Sequence, residues 1–154
     1  MKNKINILET TLRDGSYAIN FKFTSRDTAV ICKKLEEAGF EYIEIGHGVG
    51  FNGSSTDLGK AASTDEEYMI AAQSSLTTAK YGMFCIPGIA QLSDIDLAKK
   101  HGMHFIRIGT NVDKISESEA FIKKAKDSGL FVAANYMKSY ALSPKNASQG
   151  ASRV

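Results

Sequence analysis

Short runs rich in branched and aromatic residues alternate with longer amphipathic stretches along this chain, and that alternation narrows the fold more than any single motif. The runs are INILETTL (5–12), EYIEIGHG (41–48, with the strand over 42–46), MFCIPG (83–88), MHFIRIG (103–109) and LFVAANYMKS (130–139). Each interval holds one helical pattern, long enough to carry the chain back to the start of the next strand. Strand, crossover helix and parallel strand form the right-handed unit that such spacing supports. The order βαβαβαβαβ therefore predicts an α/β protein, with a parallel sheet covered by helices, as a (β/α) barrel or a doubly wound open sheet.

The helix boundaries carry their own signals. Ser25 is a candidate N-cap for the first helix and Gly39 a natural stop. Ser63 or Thr64 would cap the second, where Asp65, Glu66 and Glu67 suit the positive end of the helix dipole. A serine in LSDIDLAKK would cap the third, and Ser116 with Glu119 reads as a capping box for the fourth. A further helix is expected to begin at Ser143 and Pro144, giving way to an irregular polar tail over 145–154. The whole chain, 1–154, reads as one partial barrel domain.

Composition excludes several classes. The chain has 154 residues, a formal net charge of +2 and 23% charged residues. No clustered basic face appears, so nucleic acid is not an expected partner. No run approaches the ~18 apolar residues of a membrane span, and Met1-Lys2-Asn3-Lys4 opens no secretory leader, so the cytoplasm is the expected location. Cys32 and Cys85 stand far apart in apolar surroundings and read as buried reduced thiols.

The two architectures place chemistry differently: barrels at the C-terminal ends of their strands, open sheets at a switch point, usually behind a glycine-rich phosphate turn. The loop after the second run, residues 48–63, is rich in glycine but opens no helix, so it is a poor dinucleotide fingerprint. TLRDGS after the first run has one glycine and an aspartate that would repel phosphate, against a flavodoxin-like module. What stands at the strand ends is chemically specific. Arg13 and Asp14 lie side by side, where each charge is costly unless something binds it. Glu44, His47 and Ser139 share that placement. The bland reading of Arg13 and Asp14 is a structural ion pair capping a strand. His101 and His104 fall at the start of the fourth strand, the wrong end for barrel chemistry, and read as surface or packing residues. Tyr136, Met137 and Tyr140 read as packing.

Taken in order, TLRDG, IEIGHGVGFNGSS, IPGI, IRIGTNV and NYMKSYALSP resemble the strand ends of the metal-dependent metallolyase barrels related to HMG-CoA lyase, and most of all their 4-hydroxy-2-oxovalerate aldolase branch. The resemblance implies an eight-stranded TIM barrel, of which this chain would supply about the first five units. It implies a divalent cation, Mn²⁺ or Mg²⁺, with Asp14 as ligand, and Arg13 holding the enolate of a 2-oxo acid. It implies retro-aldol cleavage of a 4-hydroxy-2-oxo acid to pyruvate and an aldehyde. Partners implied are a small 2-oxo acid, and a homo-oligomer or an aldehyde dehydrogenase. Glu44 and Ser139 would line the substrate pocket, with Glu44 orienting a metal-bound water or Arg13; the alternative for Glu44 is a buried carboxylate paired with a neighbouring strand. His47 would be a polar contact or base, or else make a structural hydrogen bond to the glycine-rich loop.

Two departures bear on activity. The family's general-base histidine is replaced by Tyr17, whose ordinary pKa near 10 makes it a weak base at neutral pH. The H-x-H metal ligands of a later strand are absent, so the metal site is incomplete in this chain. Condensing relatives such as isopropylmalate synthase carry an acidic residue after the motif glycine, where this chain has Ser16. The expectation is an impaired or inactive aldolase-like chain; the alternative is a non-catalytic half-barrel.

Overall fold

Alternation within the strands decides which face of the sheet meets the helices. In β2 (Tyr42–Ile45), β3 (Lys80–Cys85) and β4 (Phe105–Asn111), Ile43, Ile45, Tyr81, Met83, Cys85, Ile106 and Ile108 point one way into the main apolar core. The intervening side chains point the other way, as the two-residue strand period requires. The structure, a computed structural model, describes residues 5–143 and Lys145. With β1 (Leu8–Glu9) and β5 (Phe131–Met137), the strands form one five-stranded sheet in the order β1-β2-β3-β4-β5. All four pairings are parallel and join strands consecutive in the chain, the order of a half-barrel and not of a doubly wound sheet.

The helices α1 (Ser25–Glu37), α2 (Asp65–Ser75), α3 (Leu92–Lys100) and α4 (Glu119–Asp127) cover the outer face. Burying Cys32, Met69, Ala72, Ile95, Ala98, Ile122 and Ala125 against the sheet excludes water from both layers. Each large aliphatic side chain so buried contributes about 1.5–3 kcal/mol.

The predicted boundaries need several corrections. β3 runs Lys80–Cys85, three residues ahead of the expected 83–88 run, because α2 already stops at Ser75. β1 is a two-residue ladder within the expected 5–12 run, because the Thr10 carbonyl accepts backbone bonds from Arg13 and Asp14 and turns the chain out of the sheet. Thr24, one residue before Ser25, caps α1 in a reciprocal box with Asp27. Thr64 caps α2 with Glu67. No serine caps α3; Asp94 accepts the Gln91 backbone N–H instead. No Ser116–Glu119 box forms, because residues Val112–Ser118 wind as 3₁₀ turns and α4 starts only at Glu119. The helix expected from Ser143 and the tail over 145–154 lie, Lys145 apart, outside the described residues.

One loop contact fixes the entry to β3. Glu36, at the end of α1, accepts backbone N–H bonds from Thr77, Thr78 and Ala79, which hold its carboxyl down at a pKa of about 2.

Candidate active site

The turn after β1 brings Arg13 back over the inner face of the sheet. Its Nε donates to Glu44 Oε2 at 2.8 Å, and its Nη1 donates to Asp14 Oδ1 at 2.9 Å and to the Gly48 carbonyl at 3.1 Å. Glu44 is fully buried. A buried carboxylate is strongly destabilising unless paired and hydrogen-bonded, and Glu44 has two cations. Arg107, on β4, donates from Nε to Oε1 and from Nη2 to Oε2, both at 2.7 Å. The two-bond fork is the strong form of such a pair, and it lifts the Arg107 pKa further above its ordinary value. Phe84 lies beneath both guanidinium groups, its ring centroid 5.1 Å from Arg13 Cζ and 4.9 Å from Arg107 Cζ.

Glycine makes this packing fit. Phe84 occupies the space a Cβ at Gly109 would need.

Asp14 is the exposed member, with 61% of its side chain open to solvent. Among the described residues its second oxygen carries no hydrogen bond, so it can accept a ligand. No group of three or more His, Cys, Asp or Glu side chains placed to hold a metal occurs among the described residues. Glu44 is spent on arginines. The donors therefore amount to one carboxylate with a free oxygen, which does not make a closed metal site.

His47 sits where the loop leaves β2, fully buried and stacked on Phe21 at 3.9 Å between centroids. Its Nδ1 accepts from the Val49 N–H at 3.3 Å, and its Nε2 donates to the Gly59 carbonyl at 3.0 Å. That pattern requires the neutral imidazole, and burial pushes its pKa down, in agreement. Both ring nitrogens are engaged by the backbone of the 46–64 loop. Tyr17 follows on the same side: its ring meets Phe21 edge-on at 5.0 Å and covers Gly48, where a Cβ would overlap it. Burial raises the Tyr17 pKa, and Asp14 adds to the rise while Arg13 opposes it. The phenol is therefore protonated at neutral pH, a hydrogen-bond donor and not a base.

Of the residues the sequence singled out, Arg13, Asp14, Glu44, His47 and Tyr17 come together around the β1 and β2 ends. Ser139 opens the short 3₁₀ turn Ser139–Ala141 after β5 with its side chain exposed, and no hydrogen bond joins it to this cluster. Tyr140 is exposed rather than packed. His101 and His104 lie at the other end of the sheet, before β4, where His101 Nε2 meets Glu66 Oε1 at 2.7 Å. Arg107 and Phe84 were not foreseen. A mid-strand arginine flanked by isoleucines in FIRIG was the available signal.

A curled parallel sheet covered by helices, with a charged cluster on its inner face, defines an α/β half-barrel, and comparison with known proteins gives the family. A family model described as HMGL-like matches residues 4–152, and the chain belongs to that family. It is 37% identical over 145 residues to a 4-hydroxy-2-oxovalerate aldolase of Carboxydothermus hydrogenoformans, covering 94% of this chain and 43% of the relative. It is 40% identical over 138 residues to an oxaloacetate decarboxylase of Mycobacterium tuberculosis, covering 90% of this chain and 40% of the relative. The chain thus spans less than half the length of these curated relatives. Among solved structures it resembles the N-terminal domain of a protein described as an aldolase from Bacteroides vulgatus, with a TM-score of 0.68, 22% identity and coverage of 92% of this chain and 48% of that one. The carboxyl transferase domain of Rhizobium etli pyruvate carboxylase also matches, with a TM-score of 0.68 and 17% identity over 93% of this chain and 27% of that one. Both likenesses speak to the fold. No described helix is long and apolar enough to cross a membrane.

Proposed function

We propose that this chain carries the enolate-holding part of a carbon–carbon lyase acting on small 2-oxo acids, with retro-aldol cleavage of a 4-hydroxy-2-oxo acid as the leading reaction. The observation that carries this is the Arg13 guanidinium, fixed through Nε and Nη1 with its Nη2 edge free of hydrogen bonds among the described residues. In the retro-aldol step the C4 hydroxyl loses its proton, the C3–C4 bond breaks to release the aldehyde, and the electron pair becomes the enolate of pyruvate. Loss of CO₂ from oxaloacetate leaves the same enolate, so the two relatives' names share one intermediate. A guanidinium fixed in place before charge develops on the C2 oxygen stabilises it without reorganisation, which for a single donor is worth about 3–4 kcal/mol.

The remaining roles follow from the contacts. Asp14 offers one carboxylate oxygen to a divalent cation, Mn²⁺ or Mg²⁺. Such an ion, when bound, would polarise the 2-oxo acid's oxygens. Glu44 aims Arg13 rather than touching substrate. His47 holds the loop whose Gly48 carbonyl anchors Arg13, rather than taking the proton. Tyr17, as a neutral phenol near Arg13 and Asp14, is suited to give a proton to the enolate carbon. Ser139 is assigned to the substrate's far side. With a single carboxylate for metal and no base in contact with the site, the chain by itself is impaired. A homo-oligomer or an aldehyde dehydrogenase partner, and a cytoplasmic location, belong to this reading.

Two features favour a second reading, a non-catalytic half-barrel: the raised Tyr17 pKa and the single available carboxylate. Titration of the purified chain with Mn²⁺, followed by the electron-spin resonance of the free ion, separates the two. The lyase reading predicts weak binding that tightens with oxalate, an enolpyruvate mimic. Asp14→Asn should abolish the metal binding and Arg13→Ala the oxalate effect. Metal binding indifferent to Asp14→Asn would contradict it.

A further inference from the structure

Arg13 touches Glu44 through one hydrogen bond, whereas Arg107 grips the same carboxylate through two. A single bond leaves a carboxylate free to rotate about its own torsions; a planar fork does not. Glu44 Oε2 is shared by Arg13 Nε and Arg107 Nη2, so the plane of Arg107 sets the direction in which Oε2 can receive Arg13. Phe84 supports both guanidinium groups from below.

We propose that Arg107 is a positioning residue: it locks Glu44 and, through Glu44, sets the angle at which Arg13 presents its unbonded Nη2 edge to a 2-oxo acid enolate. This rests on the lyase reading for the identity of the ligand, but not for the mechanical coupling. The chain of contacts is asymmetric. Removing Arg107 takes two of the three bonds from Glu44 and leaves Arg13 Nε on a carboxylate free to turn, with only the Nη1 bonds to Asp14 and Gly48 still fixed. Removing Arg13 leaves the fork intact. An ion pair that merely fills the core would lack that direction.

The test follows the arginine Nε–H signals of the ¹⁵N-labelled chain by hydrogen exchange. In the unaltered protein Arg107 Nε–H should exchange more slowly than Arg13 Nε–H. Arg107→Lys keeps the charge and loses the fork; it should speed Arg13 exchange by about tenfold or more, while Arg13→Lys should change Arg107 exchange by no more than about twofold. Thermal melts confirm that both variants remain folded, and the comparison within the unaltered protein stands if either does not. In the same samples, oxalate affinity in the presence of Mg²⁺ should fall about tenfold in Arg107→Lys, with Mg²⁺ affinity unchanged. The proposal is overturned if Arg13 exchanges more slowly than Arg107 in the unaltered chain, if Arg107→Lys leaves Arg13 protected, or if protection is lost and oxalate affinity does not move. Failure of the unaltered chain to bind oxalate would instead remove the lyase reading, and the exchange data would still decide whether Arg107 positions Arg13.

Discussion

Glu44 and Arg107 meet across an intervening strand: they sit on β2 and β4, with β3 between them, and are joined by two bonds of 2.7 Å. Strands two places apart are separated by about 9–10 Å, so the long arginine must reach over β3. It passes over Phe84, its register partner on β3, whose ring centroid lies 4.9 Å from Arg107 Cζ. The charge cluster at the site is thus built from the turn after β1 and one side chain each of β2 and β4, over Phe84 of β3.

Loss of the carboxylate should be costly. Glu44→Gln leaves Arg107 without its anion and Arg13 with Asp14 alone, and breaking a buried pair in this way typically costs about 3–5 kcal/mol. At about 2–4 °C per kcal/mol for a chain of this size, the melting temperature should drop by roughly 6–20 °C. A calorimetric scan showing a change under about 2 °C would mean that Glu44 is not the hub of the cluster.

Acid should act on the loop through two groups of opposite sign. His47 has a folded pKa below its ordinary value. The unfolded chain therefore binds its proton first, so its contribution is intact above about pH 6.5 and declines as pH falls below that. Asp65 accepts the Asn52 N–H at 2.8 Å, yet burial raises its pKa to about 6. The folded state then binds the proton first, so stability relative to the unfolded chain is greatest below about pH 4 and lost as pH rises through about 6. Asp65→Asn should therefore stabilise the protein at pH 7.5, on the order of 2 kcal/mol, and change little at pH 4. Urea melts of the two proteins at both pH values read this directly; equal destabilisation at both would contradict it.

Both thiols should be inert in the native protein. Cys32 and Cys85 are fully buried, and burial pushes each pKa up to about 12. Since the thiolate is the reactive form, a disulfide reagent at pH 8 should label neither until denaturant unfolds the chain. Rapid labelling of either without denaturant would show that the helix–sheet layer opens.

Much of this was readable in advance, for stated reasons. The three central strands, β2, β3 and β4, announced themselves because parallel strands that are mostly buried read as branched apolar runs. Arg13, Asp14, Glu44 and His47 stood out by their place at strand ends. The helix starts were misplaced by a residue or more because serines and threonines crowd there, and only the backbone decides which one caps. That Glu44 would orient Arg13 or pair within the sheet was open from the sequence; that Arg107 holds it was not, because that partner lies 63 residues away. YIEI and FIRI are nonetheless a matched pair, each with one charge of opposite sign between isoleucine neighbours, and two mid-strand charges of that kind are most cheaply buried against one another. For His47 the sequence left an active-site role and a structural hydrogen bond to the loop both open, since the choice depends on which carbonyl, here Gly59, its Nε2 meets.

The most direct measurement is pyruvate release from 4-hydroxy-2-oxopentanoate by the purified 154-residue chain with Mn²⁺. One exposed carboxylate, Asp14, leaves most of a cation's shell to water, and the absence of general-base help typically costs a factor of about 10²–10⁴. The account predicts little or no turnover above the metal alone. Robust turnover abolished by Asp14→Asn would contradict it, and would mean that the missing ligands and base reach this site from another subunit.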